Sequence, residues 1–236
     1  MKAIDKIFAE KIYIFLGALF ITSLVVSNII FQKFFYWYPI DVIIFDQPLF
    51  ELSVGLLPYP ITFLITDLIS EIYGKRRANM IVVTGIFASF FSAGILFLGN
   101  ILPAVEYSPI NDELYKKVFS LSPIAALASM IAYLIAQFVD IRIYHFWKKL
   151  TKGKKLWLRN NFSTFASQFL DSVTVVGLLC LFDVLNWENF LGLSMASFIF
   201  KILVALIDTP FLYLFVYLFR KRFSLKLGEE IDWNKS

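Results

Sequence analysis

One cysteine, Cys180, in 236 residues rules out an intramolecular disulfide. It lies in an apolar run, where a thiol packs as a small hydrophobe. One histidine, His145, cannot build a metal site by itself. Charge is scarce too: 17% of residues are Asp, Glu, Lys or Arg, where a soluble domain averages about 25%. Several signatures are missing. There is no G-x-S-x-G, no H-E-x-x-H and no G-x-x-x-x-G-K-[ST], so neither hydrolase chemistry nor a nucleotide phosphate site is indicated. Asp140, Asp171 and Asp208 lack the flanking glycine motif that an intramembrane aspartyl protease would need. Any ATP coupling would have to come from another protein, and no cofactor or nucleic-acid partner is expected.

What is abundant is apolar surface. Hydrophobic residues make up 59% of the chain, 27 of them Phe, and mean hydropathy is +0.73. They run in long blocks rather than one-sided stripes, the pattern of an all-α integral membrane protein. Six spans are predicted, near 11–35, 58–73, 79–102, 121–147, 160–182 and 190–219, forming one membrane domain. Lys2, Lys6 and Lys11 precede the first. Its apolar run is too long for a signal-peptide core, so it reads as a retained helix. The segment 36–57 carries short β-branched pieces such as Val42-Ile43-Ile44 and suits a small β-hairpin in the first outer loop. The second span opens at Pro58-Tyr59-Pro60, where proline is tolerated in a first helical turn. Pro210 is expected to kink the sixth.

Lys and Arg alternate from loop to loop. The amino terminus, Lys75-Arg76-Arg77, the run from Lys148 to Arg159 and the tail from Arg220 are basic. The intervening loops hold Lys33, Lys116 and Lys117, and none between Asp183 and Asn189. By the positive-inside rule both termini are cytoplasmic.

Polar groups inside the spans are the candidate site. The stretch 160–172 (NNFSTFASQFLDS) puts Ser163, Ser167 and Asp171 on one helix face, with Gln168 at its edge. Serine and threonine often bond their own helix backbone. Gln168 and Asp171 have more polar valences than local bonding uses. Asp171 and Lys201 stand at matching depths on neighbouring spans. They suggest a pair that either fixes packing or lines a substrate cavity, because an unpaired charge at that depth costs about 3 kcal/mol or more. Lys201 and Asp208 are seven residues apart on nearly one face. Asp67 and Glu71 share a face of the second span, with Glu71 in reach of Arg76 or Arg77. Asp140 cannot face Arg142 at i,i+2 and needs a partner elsewhere, such as the basic loops. Gln137 lies one turn before it. Asn28 and Gln32 are candidates for the outer end of a pathway. His145 reads as interfacial. The ladder Ala125, Ala128, Ser129, Ala132 and Ala136 allows close helix approach.

Two motifs resemble a known family. Pro60-Ile-Thr-Phe-Leu-Ile-Thr-Asp-Leu-Ile-Ser-Glu-Ile-Tyr-Gly74, followed by Lys75-Arg76-Arg77-Ala78, resembles the PLTFLxxDxxSExYG(x)xxA signature of the queuosine precursor transporters, also known as vitamin uptake transporters. Ser167, Gln168, Asp171 and Ser172 resemble that family's second signature, SQ-x-x-DS, and Ser27-Asn28 also fits. The two motifs in tandem are specific. The long first loop is the least family-like part. The resemblance implies an inner-membrane importer of 7-cyano-7-deazaguanine and 7-aminomethyl-7-deazaguanine. It also implies a six-helix bundle similar to the substrate-binding subunits of energy-coupling-factor transporters.

Such a base offers adjacent N–H donors that a carboxylate accepts in bidentate fashion. Asp171 or Asp67 would take that edge, with Gln168 or Asn28 donating to the carbonyl. The substrate-binding candidates are therefore Asn28, Asp67, Glu71, Gln137, Ser167, Gln168, Asp171 and Lys201. The partners expected are a nucleobase-like small molecule and membrane lipid, with a homo-oligomer or energising subunits left open. Two other readings remain. One is the substrate-capture subunit of an ATP-driven importer. The other is a membrane structural factor whose polar groups only join helices.

Overall fold

The computed structural model describes residues 3–31, 33–36, 43–44, 47–48, 51–119, 123–183 and 185–231. Among them seven α-helices follow one another: α1 (Ala3–Ile30), α2 (Tyr59–Ile72), α3 (Lys75–Ile101), α4 (Asp112–Phe119), α5 (Pro123–Leu150), α6 (Leu156–Leu181) and α7 (Phe190–Phe223). Among the described residues, five stretches are long and apolar enough to cross a membrane: Asp5–Ile30, Val54–Ile72, Lys75–Ile101, Leu156–Leu181 and Trp187–Phe223. α5 has 28 residues, about 42 Å at 1.5 Å per residue, but carries Asp140, Arg142, Lys148 and Lys149. Large apolar side chains such as Ile14, Phe15, Phe87, Phe91 and Phe97 point out of the bundle. A soluble monomer does not expose such a surface. The chain is a helical membrane bundle.

The elements meet at two ends. The starts of α1, α3 and α6, the ends of α2, α5 and α7, and the tail around Ile231 form a basic end. There Arg222 pairs with Asp5 at 2.8 Å, and the Ile231 amide donates to the Ile72 carbonyl at 2.8 Å. α4 and the short strands lie at the opposite end. β1 (Phe34–Tyr36) pairs antiparallel with β4 (Glu51–Ser53), and β2 (Ile43–Ile44) with β3 (Gln47–Pro48). These are the described pieces of the expected hairpin. The rest of that loop, including Asp41 and Asp46, lies outside the described residues, as does Gln32.

α2 is the central element. Every residue from Thr62 to Ile72 is buried except Leu64, and α1, α3, α5 and α7 all pack on it. Pro60 sits in its first turn, as expected. It ends at Gly74, whose φ of +85° is a left-handed value suited to glycine. A Cβ there would lie 2.2 Å from Glu230 Oε2. α3 then starts at once, so Lys75-Arg76-Arg77 form a helical turn rather than the predicted loop.

Other expectations shift. α1 begins at Ala3 rather than near 11 and stops at Ile30, because the chain beyond turns into β1. The segment 103–120, read as a loop, contains α4, which has a Glu and Asp in its first turn and two lysines in its last, the favourable charge order for a helix dipole. α7 runs through Pro210 as one helix. Ala132 and Ala136 are fully buried in α5, which packs closely along α6; the side chains of Ala125 and Ala128 lie outside the described residues. Cys180 is buried, as its apolar context indicates.

Candidate functional site

The residues of α6 that the sequence singled out divide by the direction they face. Ser163 donates to the Asn160 carbonyl at 3.1 Å, and Ser167 to the Thr164 carbonyl at 3.0 Å. Both hydroxyls thus bond their own helix, and Ser167 also reaches Asp140 Oδ1 at 2.9 Å. Gln168 differs: it is buried, and its Oε1 has no hydrogen-bond partner. It lines a cleft between α2, α6 and α7 together with Tyr59, Phe63, Phe200, Lys201 and Asp208.

The cleft encloses about 320 Å³ between atom surfaces, open solvent included, and the free space within it is water-sized. One wall is aromatic. Tyr59 lies 5.4 Å from Phe63 and 5.6 Å from Tyr133, ring centre to ring centre. The other wall is charged. Lys201 Nζ meets Asp171 Oδ2 at 2.5 Å and stands 5.3 Å from the centre of the Tyr59 ring. The Tyr59 hydroxyl donates to the same carboxylate oxygen at 2.9 Å. The expected Asp171–Lys201 pair therefore exists, and a tyrosine completes it. Asp171 accepts from two donors already and stands outside the cleft lining; Asp208, on the Lys201 face of α7 and absent from the sequence-based candidates, lines the cleft about two helical turns from Lys201. Its spacing from Lys201 was the available signal.

A second cavity adjoins the first. Asp67, Asn160 and Leu64 line it, and it shares Phe63, Thr164, Ala205 and Asp208 with the cleft. Asp67 Oδ1 has no partner there. Gln137, fully buried, donates to the Tyr133 hydroxyl at 2.9 Å, behind the aromatic wall. Asn28 lies apart, in a small cavity between α1, α3 and α5, where it donates to Ser89 Oγ at 3.5 Å.

Glu71 is placed otherwise than expected. Its partners are not Arg76 or Arg77 but Arg159, at 2.6 Å, Arg220, in direct contact, and Lys148, at 3.6 Å. The Tyr144 hydroxyl donates to it at 3.0 Å. Arg159 also donates to the carbonyls of Gly153 and Lys154, both at 3.0 Å, and Lys148 to Glu230 at 2.8 Å. One carboxylate thus ties α2, α5, α6 and α7 together at the basic end. The reason is helical phase: Glu71 points into the bundle, whereas the arginines of α3 begin a new helix beyond the Gly74 turn. Asp140 likewise finds Ser167 and Asp67, not a basic loop. His145 is buried beside a cavity at the basic end lined by Lys75, Arg142 and Lys149.

Comparison with known proteins agrees with the architecture. A family model described as "Putative vitamin uptake transporter" matches residues 53–215, from the turn before α2 to α7. A protein of Bacillus subtilis (strain 168) named "Probable queuosine precursor transporter" is 28% identical over 164 residues, 68% of this chain and 70% of that protein. No solved structure matches the chain.

Proposed function

We propose, for a chain that belongs to the vitamin uptake transporter family, that it imports the queuosine precursors 7-cyano-7-deazaguanine and 7-aminomethyl-7-deazaguanine across the bacterial inner membrane. In this reading α1, α2, α3, α5, α6 and α7 are six spans of one domain. Its fold is like that of an energy-coupling-factor substrate-binding subunit, and both termini are cytoplasmic. The named function of the Bacillus subtilis relative supports the substrate class.

The observation that carries the reading is the cleft. A deazaguanine is flat, with N–H donors on one edge and a carbonyl beside them. The cleft offers an aromatic wall for the ring, a carboxylate at Asp208 and the unpartnered Oε1 of Gln168. Lys201 supplies a donor for the carbonyl. Stacking of a base on an aromatic ring is worth about 1–3 kcal/mol. Each buried polar group left unpaired costs about 1–3 kcal/mol, so a base lacking the matching edge is rejected. The closed cleft must widen to admit a base, by parting of α2 from α6 and α7. Asn28, on the α1–α3 side, belongs to an approach rather than to this cleft. Gln137 and Ser167 hold Tyr133 and Asp140 from behind. Glu71 keeps the basic end shut while the cleft is reached from the other.

Uptake of labelled 7-cyano-7-deazaguanine by a queuosine-auxotrophic strain tests the reading. Gln168→Ala and Asp208→Asn should each lower uptake about tenfold or more, the equivalent of one lost polar contact at about 1.4 kcal/mol. Asp171→Asn should do the same by releasing Lys201. Unchanged uptake in all three variants would remove the cleft as the substrate site.

A further inference from the structure

Five carboxylates lie inside the bundle, and the cations do not divide evenly among them. Asp171 has Lys201, and Glu71 has Arg159, Arg220 and Lys148. Among the described residues no ion pair reaches Asp67, Asp140 or Asp208. Asp67 on α2 and Asp140 on α5 are neighbours where those two helices pack, and each keeps one carboxylate oxygen without a hydrogen-bond donor. Asp67 is 3% exposed and Asp140 0%.

An ionised carboxylate only accepts hydrogen bonds, so two ionised carboxylates have nothing to share. Two buried like charges side by side strengthen each other's hold on a proton. A single proton between them satisfies both conditions. The donors around the pair do not supply a substitute. Ser167 donates to Asp140 Oδ1 and Ser163 stands near the same carboxylate, while Asp140 Oδ2 and Asp67 Oδ1 receive no hydrogen bond from a protein donor. The other charged and titratable groups facing the pair are Asp208 on α7, Arg159 on α6, and Tyr133 and Tyr144 on α5. Arg159 is committed to Glu71, and Asp208 adds negative charge. A separate feature gives this proton a path. Asp67, with its unpartnered Oδ1, lines the water-sized cavity that shares Asp208 and Thr164 with the cleft. Ionisable groups inside a membrane bundle commonly mark proton relays.

We propose that Asp67 and Asp140 form a proton-binding site beside the substrate cleft, and that the proton held between them is the ion that drives transport. The inference rests on the transporter reading above. A proton from the outer phase adds to one carboxylate oxygen, taking the pair from two negative charges to one. It leaves to the inner phase after the cleft has changed sides. No other bond is made or broken. With a neutral base, one positive charge moves inward per cycle. Because the pair joins α2 to α5, proton loss would set two carboxylates in repulsion and loosen the same α2 that walls the cleft.

Two measurements on the purified full-length protein test this separately from the substrate. In lipid, infrared spectra near neutral pH should contain the carbonyl stretch of a protonated carboxylic acid, removed in Asp140→Asn. Its absence in the wild type overturns the proposal even if no variant folds. In proteoliposomes, labelled 7-cyano-7-deazaguanine should exchange at equal pH on both sides. An imposed inward proton gradient should then accumulate it by up to about tenfold per pH unit at zero potential, the equivalent of 1.36 kcal/mol, and a protonophore should abolish this. Asp140→Asn should keep exchange and lose gradient-driven accumulation. Exchange that ignores pH, or that follows a sodium gradient instead, overturns the proton site while leaving the substrate reading intact. A protonated-acid band that Asp140→Asn removes, without any exchange of the base, supports the shared proton and overturns the substrate.

Discussion

At the scale of residues, what distinguishes this chain is how few charged side chains it has and how several of them pair inside the bundle. Lys201 is the clearest case. It is 9% exposed, and its ammonium rests on Asp171, with Ser172 Oγ at 3.5 Å and the Tyr59 ring in front. Removing one partner of such a buried pair strands the other charge and costs about 3–5 kcal/mol, whereas replacing both with neutral groups of similar size is often tolerated. Lys201→Met should therefore lower the melting temperature in detergent markedly. Lys201→Met combined with Asp171→Asn should recover most of that loss, yet neither variant should bind the base. If the double variant melts no higher than the single one, the pair is not what holds Lys201 in place. The sequence showed both charges and their matching depth. Tyr59, by contrast, was one aromatic among many, and only the fold reveals that its hydroxyl reaches a carboxylate 112 residues away.

At the scale of elements, the helices were legible and their ends were not. Apolar blocks as long as 79–102 leave little freedom in placing a membrane helix, and α3 covers that block. Its start moved to Lys75 because Tyr73 and Gly74 alone make the turn from α2, and so short a turn has little compositional signal. α4 was hidden because an eight-residue polar helix lacks an apolar block. The partners of Glu71 were hidden for a related reason. Sequence neighbours suggest arginines five and six residues on, while the fold delivers Arg159 and Arg220 from other helices. That arrangement makes a graded prediction. Glu71 is fully buried among three cations, so Glu71→Gln should cost about 3–5 kcal/mol and open the basic end. Among the described residues Glu230 pairs with Lys148 alone, and its side chain is 41% exposed, so Glu230→Gln should cost under about 1 kcal/mol. Thermal unfolding of both variants, monitored by tryptophan fluorescence, should show this order, and equal shifts would deny Glu71 its central position.

At the scale of the whole molecule, charge separates the two ends more sharply than composition implies. Lys148, Arg159 and Arg220 are drawn inward by Glu71. Lys75, Arg76, Lys149, Lys152, Lys154 and Lys155 remain exposed at the same end. The opposite end exposes Glu106, Asp112, Glu113 and Glu188, with Lys116 and Lys117 on α4. Exposed cations near helix ends are what the insertion machinery and the anionic inner leaflet retain on the cytoplasmic side. Cations consumed in the Glu71 cluster still count during insertion, since the cluster forms only after the helices have packed. The orientation is therefore fixed before the fold is. A fluorescent reporter at either terminus should be bright, as it folds only in the cytoplasm. Alkaline phosphatase fused after Asn186, in the turn between α6 and α7, should be active, as it folds only outside. Replacing Lys152, Lys154 and Lys155 together with glutamine should weaken this asymmetry without touching Glu71. Mixed topology in that variant would show that exposed cations set the orientation. A uniformly correct topology would assign it instead to the cations that end up inside the cluster.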